Sequence, residues 1–344
     1  MKLNINKEIF SDVINLSTGV FKPLRKFSSY KEVLSISENF LTEKKKFFPL
    51  PVLFPISKKL KKKISKFKII KLYYKNIFVG EININKIFQI KKNSVKKIFG
   101  FYNYNHPGIS NFFNVNKFFI DCDINKFNRK ILKKIDFDEP KNIKKKLKNI
   151  NCAGFHTRNV PHKGHIWIHN FGKSKCKKVL IQPMIGQFKK GEFKEKFIIK
   201  SNIIASKFDN KNSIFCKFYS YPRYSGPREA VFHSIVRKNY GCSHFLVGRD
   251  HAGYKNYYKK YASQKLCKLK EKKIGIKILG FDEPYVCKTC KNVTNNKCIK
   301  CKKINKIFIS GTKIRSLIRR NKKVPEYLMD NKIYQIVKKN SLIS

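Results

Sequence analysis

Apolar positions along this chain fall into two rhythms. Through residues 1–148 they come as short β-branched and aromatic runs, at 69–74, 77–79 and 82–88, set between Asn, Gly and Lys turns. That pattern predicts a small, mostly β domain, and it carries no cluster of catalytic residue types. Gly19-Val20-Phe21-Lys22-Pro23-Leu24 and Asn105-His106-Pro107-Gly108 read as tight turns. A basic segment at 141–148 joins this half to the next.

From Asn151 the rhythm changes. Apolar runs at 179–185, 214–219, 245–247, 276–279 and 307–309 alternate with helical stretches at about 194–205, 227–238, 256–268 and 312–320. Pro227 suits a first helical position, and Glu229 then falls in the favourable first turn. Strand and helix in alternation predict a parallel sheet with helices on its faces, binding ligands outside the carboxyl ends of its strands. Residues 324–337 predict one or two small closing helices. The expected organisation is an α/β chain in three parts: a β domain at 1–148, a sheet-and-helix domain at 149–320, and a short C-terminal helical segment at 321–344.

Composition alters this picture little. The 344 residues are 42% hydrophobic, as in folded proteins. The formal charge of +57 would attract anions and cause salt-dependent non-specific binding. The excess is mostly Lys, spread through the whole chain beside abundant Asn, Ile, Phe and Tyr. It reads as drift towards A/T-rich codons, not as a built nucleic-acid patch. No apolar run reaches membrane-spanning length, and residues 1–10 lack a signal-peptide core. A cytoplasmic protein with reduced cysteines is expected. Cys122, Cys152, Cys176, Cys216, Cys242 and Cys267 are scattered singly and read as small packing residues.

Chemistry concentrates in four places. Phe155 to His165 holds His156, His162 and His165, three of the eight histidines, together with Thr157, Arg158, Asn159 and Pro161. A helix starting near Pro161 puts both later imidazoles on one face of its first turn, where free N–H groups and the helix dipole can hold phosphate. Gly248-Arg249-Asp250-His251-Ala252-Gly253 flanks polar side chains with two glycines. Glycine permits close backbone approach to a ligand, Arg249 offers a planar fork for oxyanions, and Asp250 could accept from a ribose or adenine donor. In Ser310 to Arg315, Thr312 is a candidate N-cap, and that helix start could also bind phosphate. Cys287, Cys290, Cys298 and Cys301 form two Cys-x-x-Cys knuckles, the spacing of a closed, structural Zn²⁺ site within about 285–303. Arg158, Arg223, Arg228, Arg237, Arg249 and Arg315 all lie in the second half, near these loops. In a chain that otherwise uses Lys, they would mark places needing bidentate geometry.

Taken in order, these motifs resemble the ATP-sulfurylase (sulfate adenylyltransferase) family over nearly the whole chain. His156-Thr157-Arg158-Asn159 with His162-Lys163-Gly164-His165 is similar to its Gln-Thr-Arg-Asn and His-x-x-His signature, and 248–253 reproduces its Gly-Arg-Asp-His-Ala-Gly. Gly226-Pro227-Arg228-Glu229-Ala230 and Arg237 to Cys242 also fit. The resemblance implies a PUA-like β domain, a Rossmann-like nucleotidyltransferase domain, and formation of adenosine 5′-phosphosulfate and pyrophosphate from ATP, carried with Mg²⁺, and sulfate. It assigns sulfate to His156, Arg158 and the Ala252 backbone. Thr157, Arg158 and Asn159 become the catalytic loop, and His162 and His165 the phosphate contacts. His156 to Asn159, Gly248, Arg249, Asp250, His251 and the Ile276 strand would hold the nucleotide. A zinc element near 287–301, a homo-oligomer and no kinase-like extension past Ser344 are further expectations. Two departures stand out: His156 where Gln is commonest, and Asp330 where an Arg is usual. The rival readings are a related His-x-Gly-His adenylyltransferase with another acceptor and a basic zinc-ribbon nucleic-acid-binding protein.

Overall fold

The computed structural model describes every residue except 187–190, 209–211, 299–300, 302–304, 338–340 and 344. The chain begins with β1 (Lys2–Asn4), α1 (Lys7–Thr18), α2 (Tyr30–Asn39), β2 (Pro55–Ile56), α3 (Lys58–Ile64), β3 (Ile69–Tyr74), β4 (Ile77–Phe88), α4 (Lys92–Phe99) and α5 (Pro107–Asn111). Next come β5 (Phe118–Phe127), α6 (Lys130–Lys134), α7 (Pro140–Lys146), β6 (Cys152–Thr157), α8 (Lys163–Lys175), β7 (Lys178–Ile185), α9 (Glu195–Ser206), β8 (Ser213–Phe215) and β9 (Phe218–Tyr219). The rest is α10 (Pro227–Asn239), β10 (His244–Val247), α11 (Ala262–Leu269), α12 (Glu271–Ile274), β11 (Lys277–Gly280), β12 (Tyr285–Cys287), β13 (Val293–Thr294), β14 (Lys306–Phe308), α13 (Gly311–Arg319) and α14 (Asn331–Tyr334). Among the described residues no helix is long and apolar enough to cross a membrane.

By compactness the chain divides into two units. Unit 1 is Met1–Lys146, Tyr219–Gly241 and Asp250–Ile276; unit 2 is Leu147–Phe218, Cys242–Arg249 and Lys277–Ser344. This is not the contiguous division read from the sequence, because α10, α11 and α12 join the N-terminal half. The reason lies in α10, whose residues 228–237 are all buried. A helix covered all round must sit inside a core. Phe232 packs 4.9 Å from Phe21 and 5.8 Å from Phe48, ring centre to ring centre.

Unit 1 holds a sheet in the order β1-β3-β4-β5-β2, with β1 parallel to β3 and the remaining pairs antiparallel. Along β3, Ile70 and Leu72 are buried while Ile69 and Lys71 are exposed, so alternation sets which face meets the core. Seven helices lie among the five strands of residues 1–146, which makes this region mixed, not mostly β. The short amphipathic helices went unread because Lys-rich polar faces mask their apolar spacing: α4 buries only Ser94, Val95, Ile98 and Phe99.

Unit 2 is built on a parallel sheet in the order β11-β10-β6-β7-β8, the crossover pattern of a doubly wound fold. Ala153, Phe155, Val179, Ile181 and Leu246 meet Ile168 of α8 in its core. At Gly172 an added Cβ would sit 2.9 Å from Val179 and 3.0 Å from Leu246, so this glycine lets α8 lie close on the strands. Residues 307–309 do not extend the parallel sheet. Their strand, β14, instead joins a three-stranded antiparallel sheet, β13-β12-β14, being too short and too exposed to be an internal strand. The C-terminal stretch belongs to unit 2: Ser341 O accepts from Lys194 N, and Ile343 N donates to Glu192 O. Of the closing helices, α14 is present over Asn331–Tyr334, and residues 338–340 and 344 lie outside the described ones.

Candidate active site

The loop after β6 carries the first motif of unit 2. Thr157 ends the strand, and its Oγ1 accepts from Asn159 N at 3.1 Å. Asn159 is then held twice, its Oδ1 accepting from Arg315 Nη1 at 3.0 Å and its carbonyl from Asn202 Nδ2 at 3.2 Å. Arg158 is half-buried, 4.0 Å from Glu192. The charges of Glu192, Arg158 and Arg319 all bear on Arg315, whose pKa burial lowers. Three guanidinium groups against one carboxylate make the neighbourhood of Asn159 attractive to anions.

His162 caps α8, and His165 caps it in return. His162 Nδ1 accepts from His165 N at 3.3 Å, and His165 Nδ1 accepts from His162 N at 3.4 Å. This is a capping box made from two imidazoles, stacked 3.8 Å apart at 13°. A Cβ on Gly164 would lie 3.1 Å from the His162 ring, so glycine between the two histidines gives the ring room to turn back. Both residues are half-buried, and burial holds His162 down to about 4. Burial also lowers His165 well below the usual imidazole range, with the charges of His162 and His169 adding to it. Both rings are therefore neutral near pH 7. With each Nδ1 accepting, each proton sits on Nε2, and both rings are N–H donors without net charge, that of His165 already turned to the Val160 main chain.

Asp330 is tied to the same helix start. It accepts from Lys332 N as the N-cap of α14 and lies 3.3 Å from Lys163 Nζ, while Leu328 O accepts from Lys163 N. Ser310, not Thr312, caps α13, accepting from Lys313 N. Thr312 lies in the first turn and its hydroxyl accepts from Arg315. Gly248 and Arg249 also belong to unit 2, where Arg249 pairs with Glu283 at 2.5 Å.

The rest of the second motif lies in unit 1. Ala252 has φ +59°, and its carbonyl accepts from Gly226 N, while Asp250 O accepts from Gly253 N. His251 Nε2 lies 3.0 Å from His233 Nδ1, and its carbonyl accepts from Ser263 Oγ. Burial, helped by the Arg237 charge, pushes His251 to about 3. Ile276 is buried immediately before β11.

Three of the arginines singled out above are structural. Arg223 is buried, bonded to Asp12 at 2.6 Å and set over the Tyr221 and Phe232 rings. Arg228 forks onto the carbonyls of Ile36, Ser37 and Pro49 and lies 3.8 Å over Phe40. Arg237 donates to His233 O inside α10. Geometry did select Arg at 223 and 228, but for main-chain and aromatic partners. Glu229 and His233 were missed as part of the His251 environment. Their i, i+4 spacing on a helix predicted from Pro227 was the available signal.

Cys287, Cys290, Cys298 and Cys301 converge, with all four sulfurs within 4.8 Å of one another. A tetrahedral ion with ligands at about 2.3 Å places sulfurs about 3.8 Å apart, so the cluster fits a metal ion. The Cys290 N–H pointing at Cys287 lowers that thiol to about 6, which favours the thiolate a metal needs. Residues 299–300 and 302–303 of the expected 285–303 element lie outside the described ones.

A doubly wound parallel sheet with a loop of bound Asn and mutually capped histidines at the carboxyl end of its central strand defines a nucleotide-binding α/β protein. Comparison with known proteins narrows this. The ATP-sulfurylase family model matches residues 137–340, and a PUA-like domain model matches 1–129. A sulfate adenylyltransferase of Ignicoccus hospitalis is 30% identical over 98% of this chain and 90% of its own length. That of Pyrococcus abyssi is 29% identical over the same shares. That of Halothermothrix orenii is 26% identical over 98% and 91%. Among solved structures, a hexameric APS kinase from Thiobacillus denitrificans superposes with a TM-score of 0.73 at 11% identity, over 97% of this chain. This chain spans 62% of that protein's length, and the likeness speaks to fold. The chain belongs to the ATP-sulfurylase family, a family of nucleotidyltransferase enzymes.

Proposed function

We propose that this chain is a sulfate adenylyltransferase, joining the α-phosphoryl group of ATP to sulfate and releasing pyrophosphate, or running the reverse. The observation that carries the reading is the loop from Thr157 to His165. It sets Arg158 and two neutral imidazoles at the carboxyl end of the central strand, with Arg315 bonded to its Asn159. Sulfate is fully ionised at neutral pH and needs no general base. The barrier lies in bringing one anion in line against the α-phosphorus of another, so catalysis consists of positioning and charge stabilisation.

In this reading Arg158 holds sulfate, with His156 and the Ala252 main chain assigned to the same anion. Thr157 and Asn159 keep the loop in register, and Arg315 supports it through Asn159. His162 and His165 donate from Nε2 to the phosphate oxygens that gain charge as pyrophosphate leaves. Gly248, Arg249, Asp250, His251 and the Ile276 strand are assigned to the nucleotide, which arrives with Mg²⁺. The four cysteines hold Zn²⁺. With all four positions filled by protein, the ion would brace the β12–β14 sheet and take no part in the reaction. Metal analysis of purified protein is expected to find close to one zinc per chain, and Cys290→Ser to lose it.

Pyrophosphate release from ATP tests the reading. It should require sulfate and fall about 100-fold or more in Arg158→Ala, the size of effect seen when one preorganised donor is removed. Equal release without sulfate would point to another acceptor. In His156→Gln, an amide replaces a group whose donor capacity depends on tautomer and charge. Sulfate affinity should therefore vary less with pH in that variant than in the wild type, and identical profiles would remove His156 from the sulfate contacts.

A further inference from the structure

The second histidine pair assigns its own protons. His233 lies on α10, 1% exposed, with Nδ1 3.0 Å from His251 Nε2 and Nε2 3.7 Å from Glu229 Oε1. Glu229 is equally buried, and its two oxygens accept from the main-chain N–H groups of Arg223 (2.8 Å) and Ser225 (3.0 Å), the arrangement a carboxylate takes. A 3.0 Å contact between two imidazole nitrogens needs one N–H and one lone pair. If His233 carried its proton on Nδ1, the lone pair on its Nε2 would face the Glu229 carboxylate at close range in a buried site. If it carries the proton on Nε2, that N–H faces the carboxylate and Nδ1 is free to accept. Of these two neutral forms, the second is favourable at both ends.

We infer that Glu229 and His233 are positioning residues for the second motif. Glu229 orients His233 as an Nε2–H imidazole, and His233 in turn fixes His251 in its Nε2–H tautomer. The other ring nitrogen of His251, Nδ1, then meets whatever it contacts as an acceptor. Resting on the function proposed above, this gives His251 a different task from His162 and His165. It suits a donor group of the nucleotide, a ribose hydroxyl or the adenine amine, and not a phosphate oxygen. Glu229, His233 and His251 all lie within unit 1.

The test combines ring-nitrogen NMR with a pair of substitutions in the full-length protein labelled with ¹⁵N-histidine. At pH 7 the wild-type His251 resonances are expected to show a protonated Nε2 and an unprotonated Nδ1. His233→Asn sets an amide oxygen near the former Nδ1 and should keep that tautomer and keep kcat/KM for ATP within about threefold. His233→Leu leaves the buried His251 N–H without its acceptor. It should shift the ring towards a tautomer mixture and lower kcat/KM for ATP at least about tenfold, chiefly through KM. A wild-type His251 protonated on Nδ1 overturns the inference, as does a His233→Leu protein with unchanged spectrum and kinetics. If His233→Leu fails to fold, the wild-type spectrum and His233→Asn decide the matter. The tautomer is read without turnover. A protein with the expected spectrum but no sulfate-dependent reaction would keep this inference and lose the functional proposal's claim on it.

Discussion

Two histidine pairs, one in each unit, solve opposite problems with the same ring. His162 and His165 accept main-chain N–H groups at Nδ1, cap their own helix, and keep their protons on Nε2. His251 spends Nε2 on His233 inside the protein, which leaves Nδ1 as the working atom. Burial keeps His162, His165 and His251 uncharged. The difference is which nitrogen the protein uses up, and hence whether the ring is left as a donor or as an acceptor. A chain with a formal charge of +57 has no shortage of cations. What these sites add is direction.

Substitutions can separate the two roles. The largest effect is expected in His162→Asn. Asparagine is among the best N-caps, so helix α8 should survive with stability within about 1 kcal/mol of wild type. The Nε2–H donor is lost, and kcat should fall about 100-fold or more. Thermal denaturation beside steady-state kinetics checks both halves. A large stability loss with kcat retained would make the pair a cap and nothing else.

Next in size is the response to acid. His162 and His251 are held at about 4 and about 3, below the ordinary imidazole value of 6.5, so the unfolded chain binds their protons first. Their stabilising contribution is whole above about 6.5 and declines as pH falls. The His162 share is gone once pH has dropped through about 4, and the His251 share persists down to about 3. Chemical denaturation from pH 7.5 to 3.5 should therefore show a shallower acid limb in His162→Asn than in the wild type. Parallel limbs would mean that the ring is not buried as neutral imidazole.

The smallest effect concerns the support behind the first pair. Asp330→Asn removes the partly exposed ion pair with Lys163, keeps the cap on α14, and should cost no more than about 1 kcal/mol. Sulfate-dependent turnover should change less than threefold, as measured beside a melting curve. A tenfold loss would make the C-terminal segment part of the positioning machinery.

Much of this was legible in the sequence, and the parts that were not share a cause. The β6–α8 loop could be read because a strand, an Asn-Pro turn and two histidines three apart constrain one another locally. The same holds for the Cys-x-x-Cys knuckles. Spacing cannot say which ring nitrogen is engaged inside the protein, so the contrast between the Nδ1 contacts of the first pair and the Nε2 contact of His251 was invisible. Arginine scarcity pointed to geometry at 223 and 228 but not to its object, since the partners of Arg228 are some 180–190 residues away in the chain. Ser310 and Thr312 are equally good caps by type, and only the turn geometry chooses between them. The run 307–309 looks like any short apolar strand. Its antiparallel pairing with β12 closes the segment that carries the cysteine knuckles between the two strands.

The central claim is that the Thr157–His165 loop transfers an adenylyl group directly to sulfate. ATP–pyrophosphate exchange, with and without sulfate, tests it most directly. Direct attack by sulfate predicts exchange in the wild type only when sulfate is present, and a loss of about 100-fold or more in Arg158→Ala. Exchange that proceeds equally well without sulfate, or that survives in Arg158→Ala, would contradict it.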